Sequence, residues 1–400
     1  MRRWHVVGSL ILILALPTLA CSLGGGPGST ETPGVPQSLN GTVVVATSSI
    51  PTATSLPAVA GNVLAPGTLI LVQLGNALAL PPGAKGSTTA LTAEQIPPQG
   101  SPDGHYSVRF TKNGALTDLS LVDFSSADTS TGKDIPNGKG LSNPSITWKE
   151  DSSGFAFYEV QEVSANSGKG SSGIRYYDVA SGQTIQLVPA TQPGSAVSSI
   201  AFSPDGKRLA YASLNLQASA SGGGNQLYVV DVTAASAPLA LPAGANNFNQ
   251  WLRNSSGFIA MQIDTTGTSK VAVYTLADLA HPRNVTPANT SDLLADGSPD
   301  GKFLVVSSAL PAVKGQLPPP ANIAIMNLDG SARRNLTQFT SPDQTITSLI
   351  WGNDGIYYSL SGIAASGNNP KVDTTYRMGL DGSNVQQVGQ GTLSEIIGVH

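Results

Sequence analysis

From about residue 66 to its end the chain alternates apolar and polar positions in short runs, broken every few residues by Gly, Pro, Asp or Asn. Val197-Ser198-Ser199-Ile200-Ala201-Phe202 alternates as a half-buried strand does. Ser203-Pro204-Asp205-Gly206 follows, then a second short strand from Arg208 to Ala212. Proline presets φ at the second turn position, aspartate bonds N–H groups ahead of it, and glycine accepts positive φ. The unit is a β-hairpin. Beyond the first twenty residues no segment sustains helical periodicity.

The hairpin recurs six times, aligned on an Asp or Asn at 103, 151, 205, 254, 300 and 354. Neighbouring copies lie 46–54 residues apart, a period that belongs to propeller or solenoid arrays. Three copies place Trp148, Trp251 or Trp351 three residues before the Asx, and one places Phe202 there. That equivalence predicts packing between repeats. A further strand pair follows each hairpin, as in Ile174–Val179 with Thr184–Leu187. Turns such as Ala180-Ser181-Gly182 and Leu328-Asp329-Gly330 close these outer pairs.

Four antiparallel strands per period make a propeller blade, so the expected fold is all-β, a β-propeller of four-stranded antiparallel blades. Leu69–Leu74 with Ala77–Leu80 read as an outer pair before the first hairpin, and Leu393–Val399 as an inner strand at the other end. Together these terminal strands would close one more blade and protect its edges. Residues 66–400 then divide into about 48 per blade for seven blades, against about 56 for six. Seven is preferred and six is the alternative.

The Ser-Pro-Asp-Gly-Lys turn before a short apolar strand, then a strand such as Leu227-Tyr228-Val229-Val230-Asp231, resembles the WD-like propeller repeat of TolB. It is also similar to the propellers of prolyl-oligopeptidase-type peptidases. TolB resemblance implies a periplasmic propeller in contact with a peptidoglycan-associated lipoprotein and other envelope proteins. This chain lacks the separate α/β domain that precedes the propeller there. Peptidase resemblance implies a catalytic serine, yet no Gly-x-Ser-x-Gly elbow occurs anywhere in the sequence.

The first residues have a different character. Arg2-Arg3 precede an apolar run, Val6 to Ala20, and then Cys21, which fits a secretory signal over residues 1–20. Thr18-Leu19-Ala20-Cys21 resembles a bacterial lipobox, departing from it at Thr18 and Leu19, and implies lipidation of Cys21. Residues 21–65, rich in Gly, Pro, Ser and Thr, read as a flexible tether with one possible lone strand at Gly41–Thr47. The expected location is extracytoplasmic, lipid-anchored to the cell membrane, on the periplasmic side or the cell surface.

Charge and chemistry narrow the function classes. The net charge of −4 becomes −6 without Arg2 and Arg3, which argues against nucleic acid as a partner. Cys21 is the only cysteine, so neither an intrachain disulfide nor a Cys-x-x-Cys site can form. His5, His105, His281 and His400 are dispersed, and His105 reads as a solvated turn residue. Asp103, Asp205 and Asp300 are explained by the turn itself, without calcium. Gly222-Gly223-Gly224 follows no strand-to-helix step and is no phosphate cradle. Three Asn-x-Ser/Thr triplets, at Asn284, Asn289 and Asn335, carry little weight in a bacterial lipoprotein. No catalytic residue, metal ligand or cofactor is assigned.

What remains is loop length. Gln161–Gly173, Ser213–Gln226, Ser308–Ala321 and Ser361–Asp373 connect second and third strands and should share one face. They carry Lys169, Asn225, Lys314, Asn368 and Lys371, candidates for a binding face on a rigid scaffold. The expected function is a monomeric, non-enzymatic module that binds an envelope protein or a cell-wall polymer. The alternative is a propeller enzyme or glycan-binding protein with its site at the channel mouth. Three converging acidic and basic side chains at that mouth would favour the alternative. A channel lined by Ser, Ala and Gly would favour the first reading.

Overall fold

A computed structural model describes residues 64–398 apart from short segments at 85–87, 93–97, 127, 160–172, 190–194, 216–224, 234–236, 243–246, 265–266, 312–318, 342–343 and 362–371. The signal, Cys21, the tether and the Gly41–Thr47 strand all lie outside the described residues. So do Lys169, Lys314, Asn368 and Lys371. Asn225 opens the third strand of its blade, paired with Leu214, so the connection before it is shorter than the sequence suggests.

Seven blades of four antiparallel strands form a ring, with no helix among the described residues. The fourth blade shows the pattern. Its strands Ser195–Phe202, Arg208–Asn215, Asn225–Asp231 and Leu239–Ala240 pair in sequence order from the channel outward. Blades 3, 5, 6 and 7 repeat this order, with innermost strands Pro144–Trp148, Asn247–Trp251, Ser291–Gly297 and Ile346–Gly352. In blade 2 the innermost segment is shorter. It pairs by a bridge from Gly100 to Ser107 on the long strand Tyr106–Asn113.

Blade 1 joins both ends of the ring. Thr392–Ile396 is its innermost strand and pairs with Leu69–Gln73. Asn76–Leu80 and Thr89–Ala90 complete it. The two N-terminal strands expected as an outer pair are therefore the second and third strands, and the outermost is Thr89–Ala90. The pattern misled because an apolar pair beside a turn reads the same at either depth of a blade. Hydrogen bonds from Gly67 to Ile397 and from Ile397 to Thr68 continue the closure past the strands.

The core lies between blades, as stacked, twisted sheets require. One apolar cluster joins Val108 and Leu121 of blade 2 to Trp148 and Phe155 of blade 3. Another joins Ala210 and Leu227 to Trp251, Phe258 and Tyr274 across the next-but-one junction. Fully buried Phe258 and Tyr274 stack with ring centres 4.9 Å apart.

The Ser-Pro-Asp-Gly turn is built identically three times. Ser101, Ser203 and Ser298 each donate a hydroxyl to the aspartate two residues on, at 2.6 Å. Gly104, Gly206 and Gly301 close the turn onto the serine carbonyl with φ of 65–70°. Each aspartate also accepts the N–H two residues ahead. The hydroxyl of Ser298 and the N–H of Lys302 hold Asp300 below the usual carboxylate range. These interactions account for the repeated aspartates. His105 is exposed and lies 3.1 Å from Asp103.

Candidate functional site: the channel mouth

The turns separate the two faces of the ring. Ser-Pro-Asp-Gly turns and their counterparts join first to second strands, so they share one end. The connections between second and third strands leave from the other end. A cavity of about 420 Å³ opens at the turn end of the channel, bounded by residues from all seven blades. Its volume falls within the usual range for small-molecule sites. It lies on the face opposite the long connections.

Two kinds of junction build its wall, in alternation. Blades 2, 4 and 6 carry Ser-Pro-Asp-Gly, and blades 3, 5 and 7 carry the tryptophan turn. The Trp148 indole donates to the Gln99 carbonyl at 3.2 Å, and Trp251 to the equivalent Ala201 carbonyl at 3.0 Å. The Asp103 N–H donates to Ser152 Oγ at 3.1 Å, and the Asp205 N–H to Ser255 Oγ at 2.9 Å. The tryptophans thus pack between blades, with their N–H groups satisfied by backbone.

The third junction departs from this rule. Where the others have Gln99 and Ala201, blade 6 has Asp296. Its Oδ2 accepts the Trp351 N–H at 2.7 Å, its Oδ1 accepts from Gln250, and Arg253 Nη2 lies 3.7 Å from Oδ2. Arg253 also donates to the Trp351 carbonyl, so one guanidinium ties blades 5, 6 and 7 together. Both charged side chains are buried, at 7% and 4% exposure. Burial pushes the Asp296 carboxyl up, against the pull of Arg253 and the N–H donors around it. Burial also draws Arg253 down, opposed by Asp296 and Glu150.

Two more carboxyls face the same space. Glu150 holds the position in blade 3 that Arg253 holds in blade 5, two residues after the tryptophan. Burial raises its pKa, countered by Arg253. Glu395 projects from the closing strand, and burial pushes it up to about 7. Arg253 Nη1 is buried and meets no acceptor. Trp148, Trp251, Tyr106, Phe124 and Phe248 supply an aromatic lining.

The channel mouth therefore holds converging acidic and basic groups, the arrangement expected for the alternative reading. None of the four was singled out from the sequence. The available signal was variation inside a repeat: Glu150, Arg253 and Asn353 differ at one position of an otherwise repeated turn, and Asp296 interrupts its series likewise. Among the described residues no group of three His, Cys, Asp or Glu could hold a metal ion.

No protein-family model matches the chain, and no curated protein matches it. Solved structures do match. Prolyl oligopeptidase B from Galerina marginata, bound to a 35mer hydrolysis and macrocyclization substrate, is 16% identical with a TM-score of 0.52. The match covers 81% of this chain and 49% of that one, so the present chain spans about half its length. The β-propeller domain of the trilobed protease from Pyrococcus furiosus is 11% identical with a TM-score of 0.50, covering 80% of this chain and 90% of that domain. It is described as having an open velcro topology. TolB from Acinetobacter baumannii is also a neighbour, 16% identical over 74% of this chain and 68% of that one, with a TM-score of 0.38. Both resemblances read from the repeat are thus present among structural neighbours. At these identities the likeness is one of fold.

Proposed function

We propose that this chain is a membrane-tethered, extracytoplasmic propeller that binds a cell-envelope ligand in the mouth of its central channel, without catalysing a reaction. The observation that carries the reading is the convergence of Glu150, Arg253, Asp296 and Glu395 on one cavity at the turn end. Rigid strands hold these groups, and buried polar groups of this kind confer specificity when a ligand completes their hydrogen bonds. The tether rests on Arg2-Arg3, the apolar run and Cys21. The long-connection face, with Lys169, Asn225, Lys314, Asn368 and Lys371, is the competing location for the site.

A second reading is favoured by Glu395 alone. A carboxyl held near 7 beside a second carboxyl, Glu150, suits a general acid in hydrolysis. Assays of envelope glycans and peptides separate the two. Turnover lost in Glu395→Gln supports the enzyme, and binding without turnover supports the module.

Tryptophan emission tests the site directly, because Trp148 and Trp251 line the cavity. Titration with fractionated envelope peptides and glycans should give a saturable change, abolished by filling the mouth with Ser394→Phe. A saturable change that persists unaltered in that variant would place binding elsewhere.

A further inference from the structure

The proposed channel site also has a chemical preference, and the inference below rests on that reading. Three carboxyls, Glu150, Asp296 and Glu395, line the cavity against one cation, Arg253. Arg253 is engaged with Asp296 and the Trp351 carbonyl, so the mouth carries net negative charge. An anionic ligand would meet repulsion there. Arg253 Nη1 lines the same cavity, buried and without an acceptor, on a side chain only 7% exposed. A buried donor left in this state is costly until an incoming oxygen satisfies it. The missing ligand group is therefore a neutral oxygen, and its neighbour is a cation. Aromatic walls at Tyr106, Trp148 and Trp251 suit the same cation through their ring faces.

We infer that the channel mouth recognises a peptide bearing a protonated primary amine, a lysine side chain or a free amino terminus, whose ammonium pairs with Glu395 in the field of Glu150 while Arg253 Nη1 donates to an adjacent amide carbonyl. A peptide carries both groups a few ångströms apart. A polyamine carries only the first.

The strands packed beside Glu395 do not compete for that role. Leu69–Gln73 and Ile346–Gly352 contain no ionisable side chain. Gly355–Leu360 contributes Tyr357 and Tyr358, both pushed up to about 12 and hence neutral. Tyr376 and Arg377 lie on Thr374–Met378, and Arg377 is paired with Asp354 at 2.9 Å. The remaining charged groups facing the cavity are Glu150, Arg253 and Asp296. Burial favours the neutral form of Glu395, and an ammonium reverses that preference, so binding releases a proton. Affinity then rises with pH through about 7 while the amine stays protonated.

The test is calorimetric titration of the full chain with three blocked tripeptides, acetyl-Ala-Lys-Ala-amide and its norleucine and glutamate counterparts. The lysine peptide should bind about tenfold or more tightly than either. Its affinity should rise about tenfold from pH 5.5 to 8, a dependence lost in Glu395→Gln. Glu150→Gln should weaken binding with the pH dependence retained, which covers the case in which Glu395→Gln fails to fold. Equal binding of the norleucine or glutamate peptide overturns the amine and leaves the channel site standing. Binding of a glucosamine trisaccharide in place of the lysine peptide overturns the peptide as its source. If nothing binds, the inference fails, and the Ser394→Phe emission experiment independently decides whether the channel site fails with it.

Discussion

The Arg253 guanidinium donates to the main-chain carbonyl of Trp351, a residue 98 positions later and two blades away. On the way it lies beside Asp296 of the intervening blade. Charge compensation and blade alignment thus meet in one side chain on the channel wall.

Removing Arg253 should therefore cost more than its contacts suggest. Arg253→Ala leaves Asp296 buried without its cation, and the expected loss is about 3–5 kcal/mol. The double variant Arg253→Met/Asp296→Leu should recover most of it, because apolar replacements remove both desolvation penalties. Urea denaturation of the three proteins checks this. A double variant as unstable as the single one would show that the pair is not the source of the loss.

Stability should fall as pH rises across the range set by Glu395. Its folded pKa of about 7 lies above the ordinary 4.5, so the native state binds the extra proton. Its stabilising contribution is full below about 4.5 and is lost as pH rises through 7, by at most about 3 kcal/mol. The turn aspartates shift downward and act below their ordinary 3.8, outside this window. Melting temperature measured from pH 5 to 8 should decline in the wild type and flatten in Glu395→Gln.

Ser255 combines a useful hydroxyl with a strained backbone. It accepts the Asp205 N–H at 2.9 Å while holding φ at 56°. Ser255→Ala loses the bond and keeps the strain, for an expected cost of about 1 kcal/mol. Ser255→Gly loses the bond but relaxes the backbone, so it should stay within about 0.5 kcal/mol of wild type. Denaturant midpoints should rank glycine above alanine.

Ring closure should be indispensable here. Ending the chain at Gly391 removes buried Leu393, Ile396 and Ile397 and bares the edge of Leu69–Gln73. Burial of three such side chains contributes about 5–9 kcal/mol, comparable with the whole stability of a domain. The truncated protein should lose cooperative unfolding and associate through its open edge, seen by size-exclusion chromatography. A monomer with an unchanged unfolding midpoint would contradict this role.

The architecture was legible in the sequence because it is repeated. Asp103, Asp205 and Asp300 announce the same turn, and the tryptophans mark the junctions between blades. Even the composite blade could be anticipated from the unmatched strands at the two ends. Strand depth was not, since Leu69–Gln73 is as apolar as any outer strand until its partner is known. The channel site was hidden for a different reason. Glu150, Arg253, Asp296 and Glu395 come from four blades, and only the curvature of the ring brings them to one cavity. Long polar loops drew attention because length is visible in sequence, whereas convergence is a property of three dimensions.

The most direct measurement is a cross-linking recovery from intact cells with three proteins: wild type, the channel-filled Ser394→Phe, and a form with its four long connections trimmed to short glycine turns. A channel ligand should be recovered by the wild type and the trimmed form and lost from Ser394→Phe. Recovery that survives filling of the channel and disappears on trimming would contradict the account and move the site to the opposite face.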